Sequence, residues 1–233
     1  MRFVSLLIVA TALSGATITF QYSGAVNGLT IGESIDSGAT FTDYQSGLLP
    51  VTVTSTSGFA GPVPVNFSTF CIEPLQGISA GTYTYTIDPL QDAPNSPGPM
   101  GTVKADLLRE LFGRYYSSFQ QPITAQLAAA LQIAIWEIVQ ESSGPFSVST
   151  GAIRYQSAAN PDVIIQANAL LASLDGTGPL LSNLYSIRGV SNQDLAFHAE
   201  VSVPEPATLV STALGLLLAV QAARPRVRRF RKT

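Results

Sequence analysis

At Gly101 the spacing of apolar residues changes period, and a single layer of secondary structure cannot satisfy both patterns. Before it lie TITFQYSG, LPVTVTSTS and GTYTYTID, which alternate polar with aliphatic or aromatic side chains as half-buried strands do. Gly and Pro punctuate them at GFAGPVP, QGISAG and DAPNSPGPMG, and the last of these reads as a boundary loop. After it, KADLLRELFGRYYSSF sets Leu107, Leu108, Leu111, Phe112 and Tyr115 along one helical face, with Asp106, Glu110 and Arg114 expected elsewhere on the surface. ITAQLAAALQIAIWEIVQE predicts a second helix, capped by Thr124 and rich in alanine. A third is expected from Asn160 and Pro161 through VIIQANALLASL, since Asn caps well and Pro suits the first turn. Strand patterns return after Gly178, in LYSIRGV and QDLAFHAEVSV. The expected class is therefore α+β: a β-rich half, sandwich or barrel-like, with an inserted helical subdomain. We find no internal repeat. The body, residues 17–202, divides into 17–100 mainly β, 101–177 mainly α and 178–202 β.

The two ends read differently. MRFVSLLIVATALSGA has one basic residue, Arg2, an apolar run from Phe3 to Leu13, and small residues at Ser14 and Ala16, which is the plan of a secretory signal peptide over residues 1–16. Residues 203–233 hold three parts in order. Pro204, Glu205 and Pro206 form a rigid break. Ala207 to Ala223 is an apolar stretch at the short edge of what crosses a bilayer as a helix. Arg224, Arg226, Arg228, Arg229, Arg231 and Lys232 close the chain, and such a cluster stays on the cytoplasmic side. The body would then face outward.

The charge follows the same division. Six of the twelve basic residues lie in the last ten positions and a seventh is Arg2. Lys104, Arg109, Arg114, Arg154 and Arg188 remain between them against fourteen of the fifteen carboxylates, so the mature body is strongly acidic. It would repel phosphate backbones, which argues against a nucleic-acid partner, and would attract basic surfaces and amines.

The order Pro-Glu-Pro, short span, arginine cluster resembles the PEP-CTERM sorting signal of Gram-negative bacteria, also catalogued as an ice-binding protein C-terminal domain; the label by itself does not imply ice binding. The resemblance covers about thirty residues. It implies processing by an exosortase, a membrane transpeptidase that cuts near the triplet, after membrane anchoring through the tail. The destination would be the cell surface or the extracellular polymer.

Within the body, two short motifs carry chemistry. Cys71 is the only cysteine and follows Phe70 near the end of the strand-rich half; an unpaired cysteine in an exported chain suggests a bond elsewhere or reactivity of its own. Gln132 opens QIAIW in the second helix, where residues four apart share a face, so Ala128, Gln132 and Trp136 align beside a stripe of Leu127, Leu131, Ile135 and Ile138. A thiol is a strong nucleophile once ionised and a primary amide a poor electrophile, so a reaction between them requires a large effective concentration and exclusion of water.

This pair resembles the thioester domain of bacterial surface adhesins, over roughly residues 51–174. There a cysteine after an aromatic residue attacks the glutamine amide of a Q-x-A-I-W motif and releases ammonia. The resemblance implies a Cys71–Gln132 thioester with Phe70, Ala134, Ile135 and Trp136 around it, and capture of an amine-bearing surface protein or polymer in adhesion. Such a protein reacts once and is not a turnover enzyme. Two departures stand out: Leu131 occupies the place where adhesins often carry threonine, and the tail is not a Gram-positive wall anchor.

Taken singly, each residue has a plainer reading. A lone buried cysteine is commonly a small hydrophobe and a helical glutamine is most often solvated; Gln120, Gln121, Gln126 and Gln140 are also near in sequence. The alternative function is a non-reactive structural component of the matrix with a reduced, buried Cys71. A cysteine hydrolase would need the single histidine, His198, which falls in a strand-like segment. One Cys and one His do not make a metal site, and no glycine-rich phosphate loop or cofactor motif occurs. Asn66 fits a eukaryotic glycosylation pattern, to which the bacterial export signals give no weight. Glu73, Tyr83, Tyr85 and Glu137 are near enough in sequence to assist the chemistry.

Overall fold

The computed structural model describes residues 15–119 and 122–199. The expected signal peptide lies outside these residues up to position 14, and so does the whole sorting tail, including Pro204, Glu205, Pro206 and the basic cluster. In chain order the described elements are β1 (Thr17–Tyr22), β2 (Val26–Ser34), β3 (Thr42–Ser57), β4 (Asn66–Thr69), β5 (Gly81–Pro89), α1 (Gly101–Phe119), α2 (Ala125–Gln140), β6 (Arg154–Gln156), α3 (Pro161–Ala172), β7 (Leu184–Arg188) and β8 (Leu195–His198). The class is α+β and β-rich. Among the described residues no helix is long and apolar enough to cross a membrane.

All strand pairs are antiparallel, in the order β6-β2-β3-β1-β5-β7-β8, with β4 on β3. The alternation in sequence decides which face is which. Ile18, Phe20 and Tyr22 of β1 and Tyr85 and Ile87 of β5 are buried, while Thr17, Thr19 and Gln21 stand opposite Thr86, Thr84 and Thr82 on the other face. Phe20 meets the edge of Tyr85 at 5.0 Å between ring centres, and burying a side chain of that size contributes roughly 2 to 3 kcal/mol. β3 is sixteen residues long and changes partners along its length: Thr42–Leu48 face β2, and Val51–Ser57 face β1. Near that exchange β2 carries an irregularity between Val26 and Leu29. There Gly47 approaches Gly28 so closely that a Cβ on Gly47 would stand 2.6 Å from the Gly28 Cα, so position 47 needs glycine.

α2 lies in the core. Every residue from Ala128 to Val139 is buried, against β2, β3, α1 and α3. A helix hydrophobic all round belongs in a core, and its small alanines permit the close packing. Its start follows the sequence: Thr124 Oγ1 accepts from the Leu127 N–H at 3.2 Å, an N-cap. α3 begins at Pro161 as expected, but Asn160 makes no side-chain cap; its own N–H instead donates to Ser157 Oγ.

One surface expectation is overturned. Glu110 is only 1 % exposed, because the loop after α3 folds over α1. It pairs with Arg114 at 2.6 Å and accepts from the N–H groups of Gly176 and Gly178 at 3.0 Å each. Burial alone would raise its carboxyl; those donors hold it below the usual range. Gly113 lets the same loop close, since a Cβ there would overlap the Pro179 carbonyl oxygen.

Candidate functional site

Cys71 lies two residues beyond β4, in an isolated antiparallel bridge. Thr69 Oγ1 donates to the Ala196 carbonyl, the Ala196 N–H donates to the Phe70 carbonyl at 3.0 Å, and the Ile72 N–H donates to the Asp194 carbonyl at 2.9 Å. Cys71 thereby stands opposite Leu195 of β8. Phe70 is fully buried and meets the Phe112 ring edge-on at 6.2 Å. Cys71 itself is 1 % exposed.

Gln132 comes to this residue from α2. The Cys71 N–H donates to Gln132 Oε1 at 3.0 Å, and Gln132 Nε2 donates to the Cys71 carbonyl at 2.8 Å. The two bonds form a reciprocal pair, as a neighbouring strand would make, and they fix which way the amide points. Both side chains are buried, with Gln132 also 1 % exposed. The other glutamines of the region lie elsewhere: Gln126 is exposed, and Gln140 donates to Glu33 and to the Tyr155 hydroxyl. Gln120 and Gln121 lie outside the described residues.

Two donors surround the sulfur. The Glu73 N–H points at Sγ from 3.3 Å. The Trp136 indole N–H makes no regular hydrogen bond but stands close enough to the sulfur to favour its anion. Burial is the dominant effect and pushes the Cys71 thiol well above its ordinary range; the Trp136 and Glu73 N–H groups oppose the rise, and the carboxylates of Glu73 and Asp194 add to it. The site therefore disfavours the thiolate.

Both carboxylates act as anchors. Glu73 is fully buried; its Oε1 accepts from Ser96 N–H at 2.7 Å and Gln76 Nε2 at 2.9 Å, and its Oε2 from Asp194 N–H at 3.1 Å. Asp194 accepts from the N–H groups of Asn95 and Gly189, each at 2.9 Å. Burial pushes the Asp194 carboxyl up to about 6, against those donors and Arg188. The turn after Cys71, the loop before α1 and the β7–β8 connection are tied together through these two side chains.

A cavity of about 240 Å³ opens onto Cys71, Gln132 and Trp136, with Tyr22, Tyr44, Leu75, Gln76 and Gln193 among its other walls. None of its lining side chains carries a charge. Trp136 packs between Tyr44, edge-on at 6.2 Å, and Tyr155, stacked at 6.5 Å. Ala134 and Ile135 are fully buried on α2 and take no part in the cavity wall.

The assisting residues suggested by sequence separate into two groups. Glu73 belongs to the surroundings of Cys71. Tyr83 and Tyr85 pack on Phe20 and direct their hydroxyls to the Ser79 and Gln193 carbonyls, and Glu137 turns away to accept from the Ser147 N–H at 2.9 Å. Tyr22, Tyr44, Gln193 and Asp194 were missed; they come from strands and loops distant in sequence, and no local pattern marks them. His198 lies at the end of β8, three positions beyond the residue opposite Cys71. Among the described residues no three His, Cys, Asp or Glu side chains converge to hold a metal ion. No protein-family model, curated protein or solved structure matches the chain.

Proposed function

We propose that Cys71 and Gln132 close an internal thioester through which the protein captures an amine on a partner. The observation that carries this reading is the reciprocal pair between the Gln132 amide and the Cys71 main chain, held at an uncharged cavity. In closure the sulfur adds to Gln132 Cδ, the C–N bond breaks, and the thiol proton leaves with the nitrogen as ammonia. The Cys71 N–H already donates to Oε1, the atom on which negative charge develops during addition. In capture a neutral amine attacks the same carbon, the C–S bond breaks, and the amine's proton passes to sulfur. The products are an amide-linked partner and a free Cys71 thiol.

On this reading the protein is an exported adhesin and not a turnover enzyme. Residues 1–16 direct export, and the tail from Pro204 onward spans the membrane until an exosortase releases the body to the surface or the extracellular polymer. The strands make up the sandwich-like or barrel-like part of a thioester domain and the helices its insert. In a host with the matching exosortase, the C-terminal peptide of surface material should lack Arg224 to Thr233; recovery of the intact terminus would indicate a plain anchor.

One observation favours the inert alternative: the reciprocal pair satisfies every hydrogen-bonding group of the Gln132 amide that it uses, as a purely structural glutamine would. The experiment that separates the two is methylamine addition to the purified protein. The reactive reading expects covalent uptake with release of one thiol, and no uptake in Cys71→Ala or Gln132→Ala. Uptake by Cys71→Ala, or none by the wild type, would favour the inert matrix protein.

A further inference from the structure

We propose that the indole N–H of Trp136 is the hydrogen-bond donor that receives the departing sulfur when the bond opens, which makes Trp136 a catalytic residue and more than a hydrophobic cover. The inference rests on the thioester reading and adds a role to it.

Three observations converge. Trp136 is 2 % exposed, and its Nε1 is a buried polar atom with no regular partner. A buried donor without an acceptor is costly to keep, and a phenylalanine would pack between Tyr44 and Tyr155 without that cost. The group also stands beside Cys71 Sγ at the wall of the cavity through which a nucleophile would enter. Finally, the sulfur is in surroundings hostile to negative charge: it is buried, with the carboxylates of Glu73 and Asp194 nearby.

Opening of the thioester puts an electron pair on that sulfur before the proton from the attacking amine arrives. Among the described residues the Glu73 N–H, at 3.3 Å, and the Trp136 indole are placed to meet it. Hydrogen bonds to a charged acceptor are stronger than neutral ones, so an indole that is idle against a thioester or a thiol becomes useful as the C–S bond lengthens. The interaction is then greater in the transition state than in the ground state, which is the condition for acceleration.

Trp136 is the only tryptophan, so residue-specific replacement in a tryptophan auxotroph alters this site alone. Benzothienylalanine keeps the bicyclic shape and replaces the N–H by sulfur; Trp136→Phe is the genetic counterpart. The proposal expects both proteins to take up methylamine about tenfold or more slowly per closed bond, with the closed fraction read from the loss of ammonia. The single indole N–H resonance of the wild type should also move downfield when methylamine opens the bond. If Trp136→Phe does not fold, the isostere decides alone. Wild-type opening rates in the closed isostere would overturn the proposal and leave the thioester intact, and so would an isostere that never closes, because the N–H would then be required for making the bond. A wild type that never loses ammonia would instead remove the reading on which the proposal rests.

Discussion

Gln132 and Gln140 lie two turns apart on α2, and their surroundings differ in the property that decides what an amide can do. Gln132 meets only uncharged partners, the Cys71 N–H and carbonyl, with the Cys71 sulfur beside it. Gln140 donates to the Glu33 carboxylate and the Tyr155 hydroxyl, with Glu137 one turn before it and Glu141 next in the chain. At the first site the amide oxygen accepts an N–H and a nucleophile is in the same residue; at the second the amide serves as a donor to an anion. On the thioester reading, one helix presents an electrophile at its middle and a structural clamp at its end.

The largest effect expected from breaking this contrast is on capture. Gln132→Ala should abolish methylamine uptake, while Gln140→Ala should leave it unchanged, as intact mass after incubation would record. Gln132→Ala also leaves the buried Cys71 N–H and carbonyl without partners, a destabilisation of about 2 to 4 kcal/mol measurable by urea unfolding. Equal capture by the two variants would erase the distinction.

A second prediction concerns the charged end. Burial pushes the Glu137 carboxyl up to about 7, with the Ser147 N–H opposing and Glu141 adding to the rise. A raised native value means that the folded chain holds more protons than the unfolded one between about pH 4.5 and pH 7. Stability from this group is therefore fullest at the acid end of that window and falls as pH rises through it. Asp194, raised to about 6, contributes in the same direction over a lower range. Glu137→Gln, which keeps an acceptor for Ser147, should stabilise the protein at about pH 8 by on the order of 2 kcal/mol and flatten the pH profile. An unchanged profile would show that Glu137 titrates normally.

The smallest effect belongs to the start of the helix. Thr124→Ala removes the cap on Leu127 and should cost about 1 kcal/mol, with capture per folded molecule unaltered. A loss of capture beyond the loss of folded protein would tie the position of Gln132 to the helix terminus more tightly than the core packing suggests.

Sequence legibility follows the range of the interactions. The change of period at Gly101, the Thr124 cap and the alternation in β1 and β5 are local, and each could be read. The 69–73 turn and Gln132 could be paired only through a family resemblance, since sixty residues separate them and spacing alone selects no partner. Buried Glu110 was misread because its position on α1 looks exposed until the loop carrying Gly176 and Gly178 covers it. β6 leaves no sequence signal, because Arg154–Gln156 is too short to alternate and exists through pairing with the edge of β2. Asp194 reaches the neighbourhood of Cys71 only through the β7–β8 connection, and no motif announces it.

The central claim is that an amide has been converted to a thioester, and intact mass of the purified protein tests it most directly. A thioester requires a folded wild type lighter by one ammonia than its sequence, with no thiol titratable until an amine is added, and a Cys71→Ala protein of full mass. A wild type of full mass with one thiol that titrates on unfolding would contradict it, and the Cys71–Gln132 pair would then be a structural hydrogen-bonded contact.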